Sequence, residues 1–351
     1  LIMNLNSSAM KAMILESITD LEKNSEPLKM AEMPDPLPGD DDVLVKVTAC
    51  GVCHTELDEI EGRTPPPLFP VIPGHQVVGR VKSTGRNVKR LKAGDRIGVG
   101  WIFSSCGKCS YCLSGNENLC AEFRATGRDA NGGYAEYMVV PEAFASIIPD
   151  VFTNIQAAPL LCAGAVGYRS VRLTDLRNGQ NIGLTGFGAS AHIVLQIIKF
   201  KYPDTSVFVF ARSEAERAFA MELGASWAGD TDDTAPVLVD SIIDTTPVWK
   251  TVVEALRNLK PGGRLVINAI RKEETDKDYL LNIDYARHLW MEKEIKSVAN
   301  VTRKDVQEFL AIASEIPVIP EVHEYRLEDA NIALTELKQR KIRGAKVLVI
   351  G

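Results

Sequence analysis

Seven cysteines, Cys50, Cys53, Cys106, Cys109, Cys112, Cys120 and Cys162, carry the first chemical information in this chain. Four of them fall close together, as Cys106-Gly-Lys-Cys109-Ser-Tyr-Cys112 followed by Cys120. Two-residue gaps let successive thiolates turn inward on one ion from a tight loop, and a fourth closes a tetrahedron with no position left for a substrate. The pattern predicts a structural zinc site. An iron–sulfur cluster is the rival, because four thiolates alone do not decide between the metals. Disulfides are not expected, since the rest of the chain looks cytoplasmic.

A second set stands apart. Cys53 lies in Cys50-Gly-Val-Cys53-His54-Thr55, His75 in Pro73-Gly74-His75-Gln76, and Cys162 in Pro159-Leu-Leu-Cys162-Ala-Gly164. Two cysteines, a histidine and a water are a ligand set that suits catalytic zinc, with the fourth position open. Spacing alone does not show that the three residues meet. Taken singly, each fits a buried core role as well.

The second half carries a cofactor pattern. Asn181-Ile-Gly-Leu-Thr185 predicts a buried strand, followed by the turn Gly186-Phe-Gly188-Ala-Ser and a helix from Ala191. Gly186 permits the tight turn, Gly188 lets the backbone approach a pyrophosphate at the helix N-terminus, and Ala191 allows close packing of helix on strand. Further strands are predicted at Ser206–Phe210, Ser241–Asp244 and Arg264–Ala269, with amphipathic stretches between, as a doubly wound parallel sheet requires. At the end of the second strand a carboxylate would take the ribose hydroxyls of NAD. Here Ala211 stands in that place, Asp204 lies at the wrong end, and Arg212 is next in line for the 2′-phosphate of NADP. NADP is therefore the expected cofactor. NAD, with Glu214 or a water on its ribose, is the alternative.

The elements that must position these groups need a long chain, and 351 residues favour two domains. With 45% hydrophobic and 25% charged residues the composition is that of an ordinary globular protein. The net charge of −6 draws no surface toward nucleic acid or anionic lipid. The longest apolar run, around Ala157–Gly167, is much too short to span a bilayer. Leu1–Ala9 lacks the pattern of a signal peptide, so folding is expected to begin near Met10.

In this order, Cys53, Gly74-His75, the four-cysteine lobe, Cys162 and the Gly-rich turn resemble the zinc-dependent medium-chain alcohol dehydrogenases, near the cinnamyl and bacterial branches. The resemblance runs from about Met10 to Gly351. It implies an α/β fold in which a GroES-like β-rich catalytic domain (1–155) precedes a Rossmann domain with a doubly wound parallel sheet (156–295), the chain then returning to the catalytic domain (296–351). It implies two zinc ions per chain, a catalytic one on Cys53, His75 and Cys162 and a structural one on Cys106, Cys109, Cys112 and Cys120. Thr55 would hydrogen-bond the substrate hydroxyl, His54 contact the cofactor pyrophosphate, and Glu56 orient the zinc histidine. Trp101 and Ile102 match a region that lines the substrate pocket in relatives, or are ordinary core.

Several positions depart from the family. Asp58 stands where many relatives have a histidine that passes the proton to solvent, and would have to serve that relay through water. The usual Gly-His-Glu is Gly74-His75-Gln76, which removes a negative charge near the metal. Val166, where a threonine is common, would pack on the nicotinamide without hydrogen-bonding. No arginine follows Gly344, so the pyrophosphate contact usual there would fall to Arg343 or Lys346. The implied activity is hydride transfer between NADP(H) and a primary alcohol or aldehyde. The alternatives are a zinc-free quinone or enoyl reductase of the same fold and a non-catalytic NADP-binding regulator. The expected partners are a small-molecule alcohol or aldehyde and further copies of the chain, as a homodimer or homotetramer, with no nucleic acid and no membrane; the expected location is cytoplasmic.

Overall fold

The computed structural model describes residues 9–188, 190–316, 318–339 and 344–351. Contacts divide the chain into two units, Leu1–Cys162 with Val301–Ser314 and Ile319–Gly351, and Ala163–Asn300 with Glu315–Val318.

The first unit is organised by β1 (Asp42–Val52), whose Val43, Val45, Val47 and Ala49 are all buried. A β-branched run of this kind suits a strand covered on both sides. β1 pairs antiparallel with β2 (Gln76–Thr84), with Tyr137–Pro141 and with the returning strand Ala345–Val349. β3 (Arg96–Val99) and Ala145–Ile147 extend the sheet beyond β2, and Val322–Arg326 extends it beyond the returning strand. Helix α1 (His54–Ile60) starts two residues after β1 ends. β2 begins immediately after His75, and Gly51 pairs with Gln76. Positions 53 and 75 are thus neighbours because the strand ends that carry them are neighbours.

A third segment comes from α2 (Asn154–Pro159), which packs on β1, β2 and the returning strand. Thr153 caps α2 by accepting from the Gln156 N–H at 3.2 Å, while the Gln156 side chain accepts from the Thr153 N–H at 3.0 Å. The π-helical turn Leu160–Gly164 follows and carries Cys162. α2 packs on the first unit's sheet, and the division between the two units falls at 162/163 and 300/301.

In the second unit α3 (Ala165–Leu173) leads to β4 (Asn181–Thr185), α4 (Ala191–Lys201), β5 (Ser206–Phe210), β6 (Trp227–Gly229), β7 (Val239–Asp244), α5 (Trp249–Arg257), β8 (Leu259–Ile267) and β9 (Glu294–Ser297). The strands are parallel, in the order β6-β5-β4-β7-β8-β9. That order reverses between β4 and β7, the switch point at which dinucleotides bind. Side chains alternate across β5: Val207 and Val209 join the core under α4, and Phe208 and Phe210 the core under α5. No helix among the described residues is long and apolar enough to cross a membrane.

Candidate active site and metal centres

In the first unit the ligand atoms of Cys53, His75 and Cys162 all lie within 4.8 Å of one another. Cys53 is the N-cap of α1, its sulfur accepting from the Thr55 N–H at 3.3 Å. Glu56 answers from the next turn, one oxygen accepting from the Cys53 N–H at 2.8 Å and the other meeting His75 Nδ1 at 2.5 Å. His75 is fixed through Nδ1, which leaves Nε2 facing the Cys53 sulfur at 3.5 Å. Ligands at about 2.3 Å (sulfur) and 2.0–2.1 Å (nitrogen) on a tetrahedral ion stand roughly 3.6 Å apart, so this pair fits one ion.

The facing Cys162 sulfur, with burial, pushes the Cys53 thiol well up. Burial pulls His75 down, but the Glu56 carboxylate and the Cys53 sulfur outweigh it and hold the imidazole well above its usual value. Groups so placed give up their protons to a divalent cation.

Gly74 sets the approach of His75. It has φ +98°, and a Cβ there would stand 2.4 Å from the Tyr134 ring and 2.9 Å from the Cys50 sulfur. Gly74→Ala is therefore expected to cost about 2–4 kcal/mol of stability, from backbone strain and overpacking together. Urea unfolding would measure it, and a wild-type midpoint would show that the loop accommodates the methyl group.

In the cysteine lobe the Cys106 and Cys112 sulfurs are 3.9 Å apart and those of Cys109 and Cys112 3.6 Å, with all four sulfurs within 4.8 Å. Four thiolates on one ion at about 2.3 Å would be roughly 3.8 Å apart, whereas a multi-iron cluster spreads its thiolates over several irons. The lobe fits a single ion. Backbone N–H groups of Lys108 and Cys109 hold the Cys106 thiol down at about 6. The Cys112 N–H draws Cys109 down, but partial burial and the neighbouring sulfurs push it up to about 11.

In the second unit Gly186 has φ +74°, and its N–H donates to the Phe210 carbonyl at 2.8 Å. A Cβ on Gly188 would meet nothing within 4 Å, so the turn has open space in front of it, and α4 starts without a side-chain cap. These features fit a dinucleotide pyrophosphate. Ala191 is fully buried against the sheet. Ala211 is buried at the end of β5, whereas Arg212 is exposed. Val166, on α3, is half-buried against the core under α4.

Residues 39–150 match the alcohol dehydrogenase GroES-like domain. The chain is 40% identical over 329 residues to the Mycobacterium tuberculosis protein named "Probable alcohol dehydrogenase AdhA", covering 92% of this chain and 93% of that one. The chain belongs to the zinc-dependent medium-chain alcohol dehydrogenase family. Its members are oxidoreductases acting on CH–OH donors, and this chain is one of them. Among solved members, the cinnamyl alcohol dehydrogenase of Sorghum bicolor shares 27% identity over 97% of this chain and 98% of its own, with TM-score 0.84. A Sinorhizobium meliloti chain described as a "putative zinc-binding dehydrogenase" and bound to NADP shares 26% over 97% and 99%, with TM-score 0.82.

Against the family pattern, several groups sit where their motifs did not announce. Asp58 is buried, and its Oδ1 accepts from the Arg63 guanidinium at 2.5 Å. Thr55 is buried beside it and His54 is exposed. Lys346 is buried, donating to the Tyr325 hydroxyl at 2.8 Å and to Glu336 at 2.7 Å, so its ammonium is spent inside the first unit. Arg343 lies outside the described residues. Trp101 is half-buried and Ile102 fully buried.

Three groups escaped sequence reasoning. Arg217 donates to the Ala211 and Arg212 carbonyls at 2.8 and 2.9 Å, holding the turn after β5. At the end of β7, buried Asp244 accepts from the hydroxyls of Thr185, Thr246 and Thr251 at 2.5, 2.9 and 3.0 Å, and pairs with Lys272. Lys272 also donates to the Thr246 and Val248 carbonyls at 2.9 and 3.0 Å. The third is Glu59, 2% exposed on α1. Burial, then the neighbouring Glu56 carboxylate, push its carboxyl well above the usual range.

Proposed function

We propose that this alcohol dehydrogenase transfers a hydride between NADP(H) and a primary alcohol or aldehyde, with a catalytic zinc on Cys53, His75 and Cys162 and a structural zinc in the cysteine lobe. The observation that carries the proposal is the convergence of those three ligand atoms on spacings that suit one tetrahedral ion. A zinc ion bound there would supply Lewis acidity, favouring loss of the alcohol proton in one direction and polarisation of the carbonyl in the other. The chain's own groups do the rest. Glu56 orients His75, and the Thr55 hydroxyl takes the proton of the substrate alcohol. Asp58, the expected relay, holds the Arg63 guanidinium with Oδ1. The N-terminus of α4 binds the pyrophosphate, and Val166 packs on the nicotinamide. A zinc-free reductase would have no use for Cys53 and Cys162 together.

NADP is favoured by what stands at the end of β5: buried Ala211 in place of a carboxylate, and an exposed arginine after it. NADP in the Sinorhizobium meliloti relative agrees. Arg212→Ala is expected to raise the KM for NADPH about tenfold, the worth of one charge-assisted bond, and to leave that for NADH nearly unchanged. An unaltered preference between the two cofactors would remove Arg212 from the site. The oligomer expected of the family would form on β9, an edge strand whose four residues are all exposed.

The test of the whole proposal is metal content per chain paired with NADPH and NADH oxidation against benzaldehyde and hexanal. Two zinc ions with NADPH-dependent turnover are expected. One zinc ion and no turnover would leave a structural lobe beside a silent inner site and overturn the proposal.

A further inference from the structure

Helix α1 presents two buried acidic residues on one face, Glu56 and Glu59, 0% and 2% exposed. Glu56 has a partner for each oxygen, as described above. Glu59 Oε1 has no hydrogen-bond partner among the described residues, and neither has the buried indole nitrogen of Trp101. One is an acceptor and the other a donor, and leaving either unmade is unfavourable. Trp101 and Arg128 both lie close enough to the Glu59 carboxyl to draw it down, against its burial and the Glu56 carboxylate. Arg128 lies 5.4 Å from the centre of the Trp101 ring and is held there by Asp129, with Nε to Oδ1 at 3.2 Å and Nη2 to Oδ2 at 2.7 Å. Phe123 packs on the same ring at 5.0 Å between centres. The backbone carbonyl of Trp101 accepts from the Thr126 N–H at 2.8 Å. The ring's main chain and its π-surface are therefore held, and its N–H edge is the remaining point of attachment.

We propose that Glu59 is a positioning residue for the substrate pocket: its carboxyl, directly or through one water, takes the indole N–H of Trp101 and, with Arg128, fixes the plane of that ring. The pocket part of the proposal rests on the family placement of Trp101 and on the function proposed above. The clamp itself does not. A ring fixed on three sides presents a rigid apolar wall, which favours flat aromatic or long aliphatic aldehydes over short ones.

The test uses the full-length protein labelled with 15N at its tryptophan indoles, whose four signals are assigned by including Trp101→Phe. Glu59→Met removes the acceptor at similar volume, and Glu59→Gln keeps one. In Glu59→Met the Trp101 indole hydrogen is expected to exchange about tenfold faster, and in Glu59→Gln to stay near the wild-type rate. The kcat/KM ratio of benzaldehyde to acetaldehyde is expected to fall severalfold in Glu59→Met, through KM rather than kcat. An unchanged Trp101 exchange rate in a folded Glu59→Met protein overturns the clamp. Faster exchange with an unchanged aldehyde ratio overturns the link to the pocket, whereas a wild-type protein with no aldehyde turnover refutes the proposed function instead. If Glu59→Met does not fold, Arg128→Met, at a partly exposed site, loosens the same ring from its outer side and is read by the same two measurements.

Discussion

Cys162→Ala is expected to remove one of two metal equivalents and about three orders of magnitude of activity while the chain stays folded. Metal-bound Lewis-acid stabilisation is worth several kcal/mol at the transition state, and each 1.36 kcal/mol is a factor of ten in rate. Cys162 is only partly buried and sits in a π-helical turn, so its loss opens no large cavity in the core. The Cys106–Cys120 lobe is built from its own loop and should keep its ion. Native mass spectrometry then reads the chain with one metal fewer, and NADPH oxidation reads the activity. Full activity in a variant that has lost no metal would show that Cys162 is not a ligand.

The second large effect belongs to the second unit. Lys272→Met strips the counter-charge from Asp244, whose carboxylate is fully buried at the switch point of the parallel sheet. Breaking a buried pair from one side typically costs about 3–5 kcal/mol, because the remaining charge stays buried and unpaired. A fall in Tm on the order of 10 °C is expected for that unit. The change also frees the Thr246 and Val248 carbonyls that Lys272 holds, so NADPH binding should weaken with it. Calorimetry with and without NADPH separates the two consequences. Adding Asp244→Asn to Lys272→Met should recover part of the loss, since the amide carries no charge and still accepts from the threonines. If Lys272→Met melts at the wild-type temperature, the pair holds nothing.

What could be read from the residues was whatever short-range geometry determines. The cysteine lobe closes within one loop, and the strand, Gly186 turn and helix follow one another directly, so their spacing in sequence is their spacing in space. The meeting of Cys53 with His75 follows from strand pairing, and that of either with Cys162 follows from packing of α2 on the sheet. Sequence spacing encodes neither, and only the family resemblance supplied them. Nothing in the composition of Glu56-Leu-Asp-Glu59 announces burial, yet Glu56, Asp58 and Glu59 are all buried. Lys346 was a candidate for the cofactor and is instead consumed by Tyr325 and Glu336. Lys272 sits in a loop with no periodicity at all, and its role exists only because β7 and β8 bring two loops to the same edge.

Cys53 does two jobs with one atom: its sulfur is a metal ligand in the proposed site and also the acceptor that starts α1. Serine at this position would preserve the cap, since a hydroxyl accepts from the same N–H, while giving up the soft ligand that zinc prefers. A lineage could therefore abandon the metal in a single substitution without unravelling the helix beneath it. The scaffold is in that sense already prepared for a metal-independent descendant, and loss of the ion need not have been preceded by any remodelling of the fold.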